Sequence, residues 1–210
     1  MFRLVLLLLV GFPFLAGCGV KGSGVKANET RDVPAFKGLE VRGSANVFVT
    51  VGNEQSVTVE VDDNLMQIIT TEVTDNKLVI GSKQSYSTRI GVKVTIQVPE
   101  LTSVAVSGSG SATLSDAKGE SLDVKISGSG KVTASGEVQS LAVKVSGSGN
   151  AKLSELTAKK VSARISGSGN VRVHATETLE ATVSGSGDVR YIGSPQVTKK
   201  VSGSGSVRAQ

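Results

Sequence analysis

The stretch ISGSGKVTA, residues 126–134, contains residue types that could hold a phosphate group. Gly-Ser-Gly-Lys followed by a threonine is similar to the loops whose backbone amides and lysine cradle nucleotide phosphates. Such a loop also needs a glycine five residues before the Gly-Lys pair and a serine or threonine directly after the lysine. Those positions hold Lys125 and Val132, so the local sequence argues against a nucleotide site.

The motif also recurs, which points to architecture rather than to a phosphate site. The first serine of each copy lies at residue 107, 127, 146, 166, 184 or 202, a spacing of 18 to 20 residues. A fixed period of this length is typical of repeat architectures. Lys131 is not shared by the other copies, whose equivalent residues are Ser111, Asn150, Asn170, Asp188 and Ser206.

Apolar and polar residues alternate on both sides of each GSG motif. In the fourth copy Val161, Ala163 and Ile165 precede the motif, and Val171 and Val173 follow it. Because successive side chains of a strand point to opposite faces, this pattern predicts two strands with one buried face.

Both glycines of each copy share the buried parity. Glycine permits the backbone conformations that a tight turn needs, so we expect a corner between the two strands. The predicted corner glycines are Gly108, Gly110, Gly128, Gly130, Gly147, Gly149, Gly167, Gly169, Gly185, Gly187, Gly203 and Gly205.

These observations predict an all-β fold, a right-handed parallel β-helix with rungs of 18–20 residues and GSG corners. No helical pattern of 10–15 residues lies between the repeats, which excludes alternating strands and helices. An antiparallel β-sandwich is the alternative. The last rung has no visible capping segment. Charged side chains such as Lys199 and Lys200 favour an edge covered by the rung's own residues, whereas the missing cap favours weak pairing with a second copy, which is the prediction adopted.

The chain divides into four parts. Residues 1–17 are interpreted as a lipoprotein signal peptide, and residues 18–30 as a lipidated cysteine with a tether; a start of the first rung at KGSGV, residues 21–25, is the alternative for part of this tether. Residues 31–105 are predicted to form an N-terminal β-helix part with irregular rungs, where the segment VRGSANVFV at 41–49 is a degenerate copy of the repeat. Residues 106–210 form the regular GSG part.

The N-terminal pattern determines the predicted compartment. A short segment with Arg3 precedes an apolar run that is too short to span a bilayer and that ends at Gly17 and Cys18. The only cysteine directly after small residues is typical of a bacterial lipobox, with cleavage between Gly17 and Cys18 and lipid on Cys18. An ordinary signal peptide with a chance cysteine is the alternative. Gly19 replaces the aspartate that would retain a lipoprotein at the inner membrane, so we expect the outer membrane in a cell with two membranes.

Little in the sequence suggests catalysis or a cofactor. His174 is the only histidine, and Asp116, Asp123 and Asp188 stand at different positions of the repeat, so no metal site is expected. Aromatic residues make up 3% of the chain, too few for the stacking surfaces of nucleic-acid-binding proteins. The expectation is a protein that is not an enzyme, binds no nucleic acid and has no cofactor.

The side chains that point outward from the predicted strands suggest a candidate binding surface. Two residues before the first serine stand Lys125, Lys144, Arg164, Thr182 and Lys200. Six residues after it stand Thr113, Thr133, Lys152, Arg172, Arg190 and Arg208. If the rungs stack, these residues form two basic columns flanking a serine ladder. A solvated face and a binding strip for anionic surface polymers are both open interpretations.

The order of several segments resembles a known family. ETRDVPAFKGLEVRGSANVFVTVG, TEVTDNKLVIGS, VKVTIQVPELTSVAVSGSG and the GSG repeats are similar to the autotransporter-adhesin head domain, the GIN family, over about residues 25–210. The resemblance implies a β-helix related in shape to pectate lyases, and a role in adhesion at the bacterial surface. It supplies no catalytic residues. The GSGN form of the repeat is strict only at Asn150 and Asn170.

The sequence therefore predicts a lipid-anchored, non-enzymatic binding module of the bacterial envelope. Its partners would be the membrane, through the lipid, and an anionic polysaccharide or another surface polymer. A polysaccharide-active enzyme on the same scaffold and a purely structural envelope protein are the alternatives.

Overall fold

A computed structural model of the protein describes residues 19–210, and strands dominate this part. The predicted signal peptide and Cys18 lie outside the described residues. Within residues 19–210 no helix is long and apolar enough to cross a membrane, and a 3-10 turn occupies Asp63–Leu65. The strands are β1 (Val20–Lys21), β2 (Lys26–Thr30), β3 (Gly38–Gly43), β4 (Asn46–Val51), β5 (Ser56–Asp62), β6 (Ile69–Thr74), β7 (Lys77–Ser82), β8 (Tyr86–Ser87), β9 (Lys93–Val98), β10 (Ser103–Gly108), β11 (Ser111–Gly128), β12 (Lys131–Gly147), β13 (Asn150–Gly167), β14 (Asn170–Gly185), β15 (Asp188–Ile192), β16 (Gln196–Ser202) and β17 (Ser206–Ala209).

The GSG copies stack in register as parallel rungs. Ser107 pairs with Ser127, Ser127 pairs with Ser146, and the series continues to Ser202. The strands that follow GSG pair in the same way from β11 to β17. The molecule is a parallel β-solenoid of about five turns, which confirms the predicted β-helix and shows that the antiparallel sandwich is wrong.

The alternating apolar side chains line the interior of the rungs. Val161 and Ile165 before the corner, and Val171 and Val173 after it, are each at most 3% exposed. Burying a valine or isoleucine side chain stabilises a fold by roughly 1.5–3 kcal/mol. Because the pattern repeats from rung to rung, the core is one continuous stack of aliphatic side chains.

The first glycine of each GSG motif makes the corner possible. Gly167 has a φ of 123°, and a Cβ at this position would lie 2.5 Å from the carbonyl oxygen of Gly147 in the preceding rung. The second glycine, Gly169, is buried, whereas Gly167 is only half-buried. The expectation that both glycines face the core is therefore wrong for the first one. The reason is its positive φ, which turns the chain out of the strand before the corner.

The first rung in the sequence is not the first rung in space. β3 and β4 lie against β10 and β11, with Gly43 opposite Gly108, which confirms the degenerate copy of the repeat. β7 and β9 come later in the chain, yet they pair in parallel with the outer edges of β3 and β4. After β4 the chain therefore adds strands on the N-terminal side of this rung, and at β10 it continues on the opposite side.

Antiparallel strands close the N-terminal end of the stack. β5 pairs with β9, β6 pairs with β7, and β2 adds to β5, all antiparallel. The segment between β5 and β6 crosses the end of the stack, and its Leu65, Met66 and Ile68 are buried. Residues 31–105, which we expected to form irregular rungs, therefore contain two rungs, β3 with β4 and β7 with β9. They also contain the cap, by which we mean β5, β6, the segment between them and the segment around β8.

Residues 19–30 belong to the fold. β1 pairs in parallel with β8, and β2 pairs with β5. The amide of Val20 donates to the carbonyl of Ser85 at 3.0 Å, and the amide of Gly22 donates to Ser87 at 2.8 Å. The predicted tether is wrong for these residues, because their backbone groups find partners on the cap.

Candidate functional site

Stacking brings the basic side chains at the outward positions into two columns. The first basic column comprises Lys125, Lys144, Arg164 and Lys200, with Thr182 in the same register. The second basic column comprises Lys152, Arg172, Arg190 and Arg208, and continues to Thr133 and Thr113. Neighbouring strands lie about 4.8 Å apart, so the positive charges repeat at about this spacing.

Most of these side chains are exposed and have no ionic partner. Arg190 is half-buried, and the other members of both columns are exposed. Arg164 Nη2 lies 3.7 Å from Glu180 Oε1, and Arg208 Nη2 lies 3.6 Å from Asp188 Oδ2. Among residues 19–210, no other column member has an acidic oxygen within 4.0 Å. The columns therefore carry uncompensated positive charge.

The first basic column runs beside the serine ladder, which is formed by the serine directly before each of the six GSG motifs. A groove of about 320 Å³ lies between the column and the ladder. Lys125, Lys144, Ser107, Ser127 and Ser146 contribute to its walls. Ammonium and hydroxyl groups both donate hydrogen bonds, so this groove suits ligands that carry acceptor oxygens.

A different ladder borders the second basic column. Asn170 Nδ2 donates to Asn150 Oδ1 at 3.2 Å, and Ser206 Oγ donates to Asp188 Oδ1 at 2.6 Å. Sequence reasoning treated these positions only as variable equivalents of Lys131 and missed the ladder. The ladder could have been inferred from the short polar side chains that follow GSG directly in every copy except the one with Lys131. This polar ladder consists of Asn46, Ser111, Lys131, Asn150, Asn170, Asp188 and Ser206.

Asp188 is the acidic member of the polar ladder. The hydrogen bond from the Ser206 hydroxyl lowers the pKa of the Asp188 carboxyl, and the nearby charges of Arg208 and Arg190 lower this pKa further, while partial burial opposes them. Asp188 is therefore ionised at neutral pH. It offsets one positive charge of the second basic column and orients Arg208.

A shallow groove of about 170 Å³ separates the polar ladder from the second basic column. Its walls include Asn150, Asn170, Lys152, Arg172 and Arg190. Amide side chains both donate and accept hydrogen bonds, and guanidinium groups bind carboxylate or phosphate through paired hydrogen bonds. The groove therefore suits a polymer that carries hydroxyl groups and negative charges at regular intervals.

The sequence led us to expect a single serine ladder flanked by both basic columns, and this arrangement is not the one observed. The serine ladder borders the first column, and the polar ladder borders the second. The Gly-Ser-Gly bend lies between the two ladders, because the strands break there in each rung. The two basic columns thus border separate grooves, one before and one after the corner.

The other ionisable candidates do not converge. His174 is half-buried, with its Nδ1 atom 3.3 Å from Thr157 Oγ1. Asp116 lies at a register shift and Asp123 on the strand before the corner, so neither stacks with Asp188. Within residues 19–210 no group of three or more His, Cys, Asp or Glu side chains could hold a metal ion.

Solved structures from other bacteria have the same fold. A protein from Bacteroides fragilis described as a "putative adhesin" is 24% identical, with a TM-score of 0.74 over 91% of this chain and 100% of that chain. A "putative lipid binding protein" from Parabacteroides distasonis is 23% identical, with a TM-score of 0.62 over 92% of this chain and 100% of that chain. At such identities the similarity shows the fold alone. No curated protein matches the sequence.

A family model provides the assignment that the structures alone do not. The family described as "Putative auto-transporter adhesin, head GIN domain" matches residues 35–195, which is most of the chain. The matched region contains five of the six GSG corners and the second basic column as far as Arg190. The chain therefore belongs to the family of auto-transporter adhesin head GIN domains.

Proposed function

We propose that this chain is a lipid-anchored protein of the bacterial envelope that binds anionic surface polymers without catalysing a reaction. Its family is described as one of adhesin heads, which indicates an adhesion-type module. The observation that carries the proposal is the second basic column, whose charges repeat in register beside the polar ladder.

The regular spacing of the charges favours a polymeric ligand. Two like charges about 4.8 Å apart repel by about 0.9 kcal/mol in water before salt screening. A ligand with a row of negative groups would relieve this repulsion along the whole column at once. A small ligand with one negative group would neutralise only one rung.

The anchor supports a location in the envelope. Cys18 is the only cysteine, it follows an apolar leader, and it directly precedes Gly19. Lipid on Cys18 would attach the module to the outer membrane, where surface polymers are at hand. A weak homo-oligomer also stays a prediction; it would form through β16 and β17, which have no further strand on their outer edges among the described residues.

The alternatives make different predictions about the grooves. A glycoside hydrolase on this scaffold would need a pair of carboxylates that converge on a bound sugar. The groove beside the second basic column contains Asp188 as its one carboxylate. A purely structural envelope protein would have no ligand in either groove.

Binding of the full chain, kept in detergent, to polygalacturonate and to neutral dextran tests the proposal. We expect it to bind polygalacturonate, with an affinity that falls as salt is added, and not to bind dextran. Absence of binding to polygalacturonate at low salt would contradict the proposal, and so would equal binding to both polymers.

A further inference from the structure

Gly19, the first residue that the structure describes, already contacts the cap. A Cβ on Gly19 would lie 2.9 Å from the carbonyl oxygen of Ser85, so Gly19 packs directly on this backbone. Its neighbour Val20 donates to the same carbonyl at 3.0 Å, and Gly22 donates to Ser87 at 2.8 Å. Cys18 directly precedes this attached segment in the sequence.

A clasp of three consecutive residues holds the same segment from the other side. Asp62 is 1% exposed, and its carboxylate accepts hydrogen bonds from the amide of Gly24, at 2.6 Å, and from the hydroxyl of Thr88. Asn64 accepts from the amide of Ser23 at 2.9 Å. We call Asp62, Asp63 and Asn64 the clasp.

The remaining clasp contacts complete the attachment. The Asn64 side chain donates to the carbonyl of Lys21 at 2.8 Å, and Asp63 accepts from the hydroxyl of Ser23. A Cβ on Gly22 would lie 2.5 Å from the carboxylate of Asp62, so the loop fits closely over the clasp. The first six described residues are thereby fixed to the cap at several points.

This attachment limits the distance between a lipid on Cys18 and the solenoid. A flexible tether of a dozen residues would have an end-to-end distance of about 20 Å. With the segment fixed from Gly19 onward, a lipid on the preceding residue would start only one peptide unit, about 3.8 Å between successive Cα atoms, from the attached segment. An anchored molecule must then hold its cap at the membrane surface.

The surface around this point has the composition of a membrane contact. Lys21 and Arg89 line a hollow of about 380 Å³ together with the buried Asp62 of the clasp, and Lys83 lies two residues before Ser85. All three cations are exposed, and among residues 19–210 none has an acidic oxygen within 4.0 Å.

Apolar side chains accompany these cations. Val25, next to Gly24, is 59% exposed, and Ile90, next to Arg89, is 41% exposed. The structure has four large exposed apolar side chains among residues 19–210, and two of them lie at this end. Cations beside exposed aliphatic groups suit the anionic headgroup region of a bilayer.

We infer that the cap surface formed by Lys21, Val25, Lys83, Arg89 and Ile90 lies against an anionic lipid bilayer. The inference rests on the proposed lipid at Cys18, and it goes further by fixing the orientation of the solenoid. Seven strand spacings separate β7, in the rung next to the cap, from β16, so the last rung stands about 34 Å from that first rung along the stack. The second basic column, which belongs to the later rungs, then lies in the part of the solenoid that is far from the membrane.

Spin labels on single introduced cysteines test this orientation. The full lipidated chain is reconstituted in phosphatidylethanolamine–phosphatidylglycerol vesicles, with a label at Ile90→Cys or at Val201→Cys. Both native side chains are 41% exposed, and Val201 lies on β16 at the opposite end, so it is a matched control. Collision with oxygen, which enters lipid, is compared with collision with a water-soluble nickel chelate. Mass spectrometry of the same samples shows whether Cys18 carries the lipid.

We expect the label at position 90 to contact lipid and the label at position 201 to contact water. Replacing Lys21, Lys83 and Arg89 by glutamine should lower the ratio of docked to undocked molecules by about 100-fold. The same change at Lys118, Lys159 and Lys160 should leave the ratio unchanged. Water contact at both labels with lipid on Cys18 would overturn the orientation and leave the anchor standing. An unmodified Cys18 would overturn the anchor and the orientation with it.

Discussion

The carbonyl oxygen of Gly147 accepts a hydrogen bond from the amide of Ser168, in the next rung, at 2.9 Å. The same oxygen would lie 2.5 Å from a Cβ on Gly167, which is closer than real side chains come. The hydrogen bond that joins the two corners therefore depends on the absence of a side chain at residue 167. The same relationship recurs at every other GSG corner except the last, where the amide of Gly205 donates instead, and it explains why the glycine returns from rung to rung.

Replacing Gly167 by alanine should destabilise the protein by about 2–4 kcal/mol, because a collision with backbone adds to the strain of a positive φ. Gly43→Ala is the matched control. Gly43 occupies the same register and has a φ of 93°, but no heavy atom lies within 4 Å of its Cβ position. Chemical denaturation of both variants measures the difference. Equal losses would show that the φ alone, and not the approach of the next rung, requires glycine.

The clasp predicts a dependence of stability on pH. The hydrogen bond from the Thr88 hydroxyl lowers the pKa of Asp62, the amide of Gly24 lowers it further, and burial opposes both. A carboxyl group whose pKa is lower in the folded state stabilises the fold above its unfolded pKa of about 3.9. This stabilisation is lost as the pH falls through the folded value.

Comparison of the wild-type protein with Asp62→Asn isolates this contribution from those of other carboxylates. We expect the wild-type protein to be the more stable at neutral pH, and the difference in the free energy of unfolding to shrink below about pH 4. Urea unfolding at a series of pH values gives this difference directly. A difference that stays constant down to about pH 3 would show that the charge of Asp62 does not stabilise the clasp.

Cys18→Ser tests the anchor. The variant should no longer fractionate with membranes when the full chain is expressed with its leader in a bacterium, because no other residue can carry the lipid. Its thermal unfolding should match that of the wild-type protein, since residues 19–210 make the contacts of the fold without Cys18. A variant that stays with the membranes after a high-salt wash would contradict the lipid anchor.

The regular part of the fold was predictable because the period of the GSG motif sets the register between neighbouring rungs. The positions of Gly147 and Gly167, 20 residues apart, define the rung, and the columns follow from that period. The rung order near the N-terminus was not predictable, since no local pattern shows that β7 and β9 pair with the outer edges of β3 and β4.

The clasp was missed for a similar reason. Asp62, Asp63 and Asn64 are typical of a turn, and the sequence does not indicate that their partners lie about 40 residues earlier. The polar ladder was missed as well: its positions were recognised as equivalent, but their hydrogen bonds become apparent only when the rungs are stacked. Long-range pairing of short polar groups is thus what the sequence alone left open.

Affinity for polygalacturonate in matched charge variants tests the proposed binding function most directly. One variant replaces Lys152, Arg172 and Arg190 by glutamine, and the control replaces Lys118, Lys159 and Lys160, three exposed lysines outside both basic columns. Both variants lose three positive charges, so a general effect of net charge would weaken them equally. We expect the column variant to bind at least about tenfold more weakly than the wild-type protein and the control to bind nearly as well as the wild type. Equal affinities of the two variants would contradict a binding site at the second basic column.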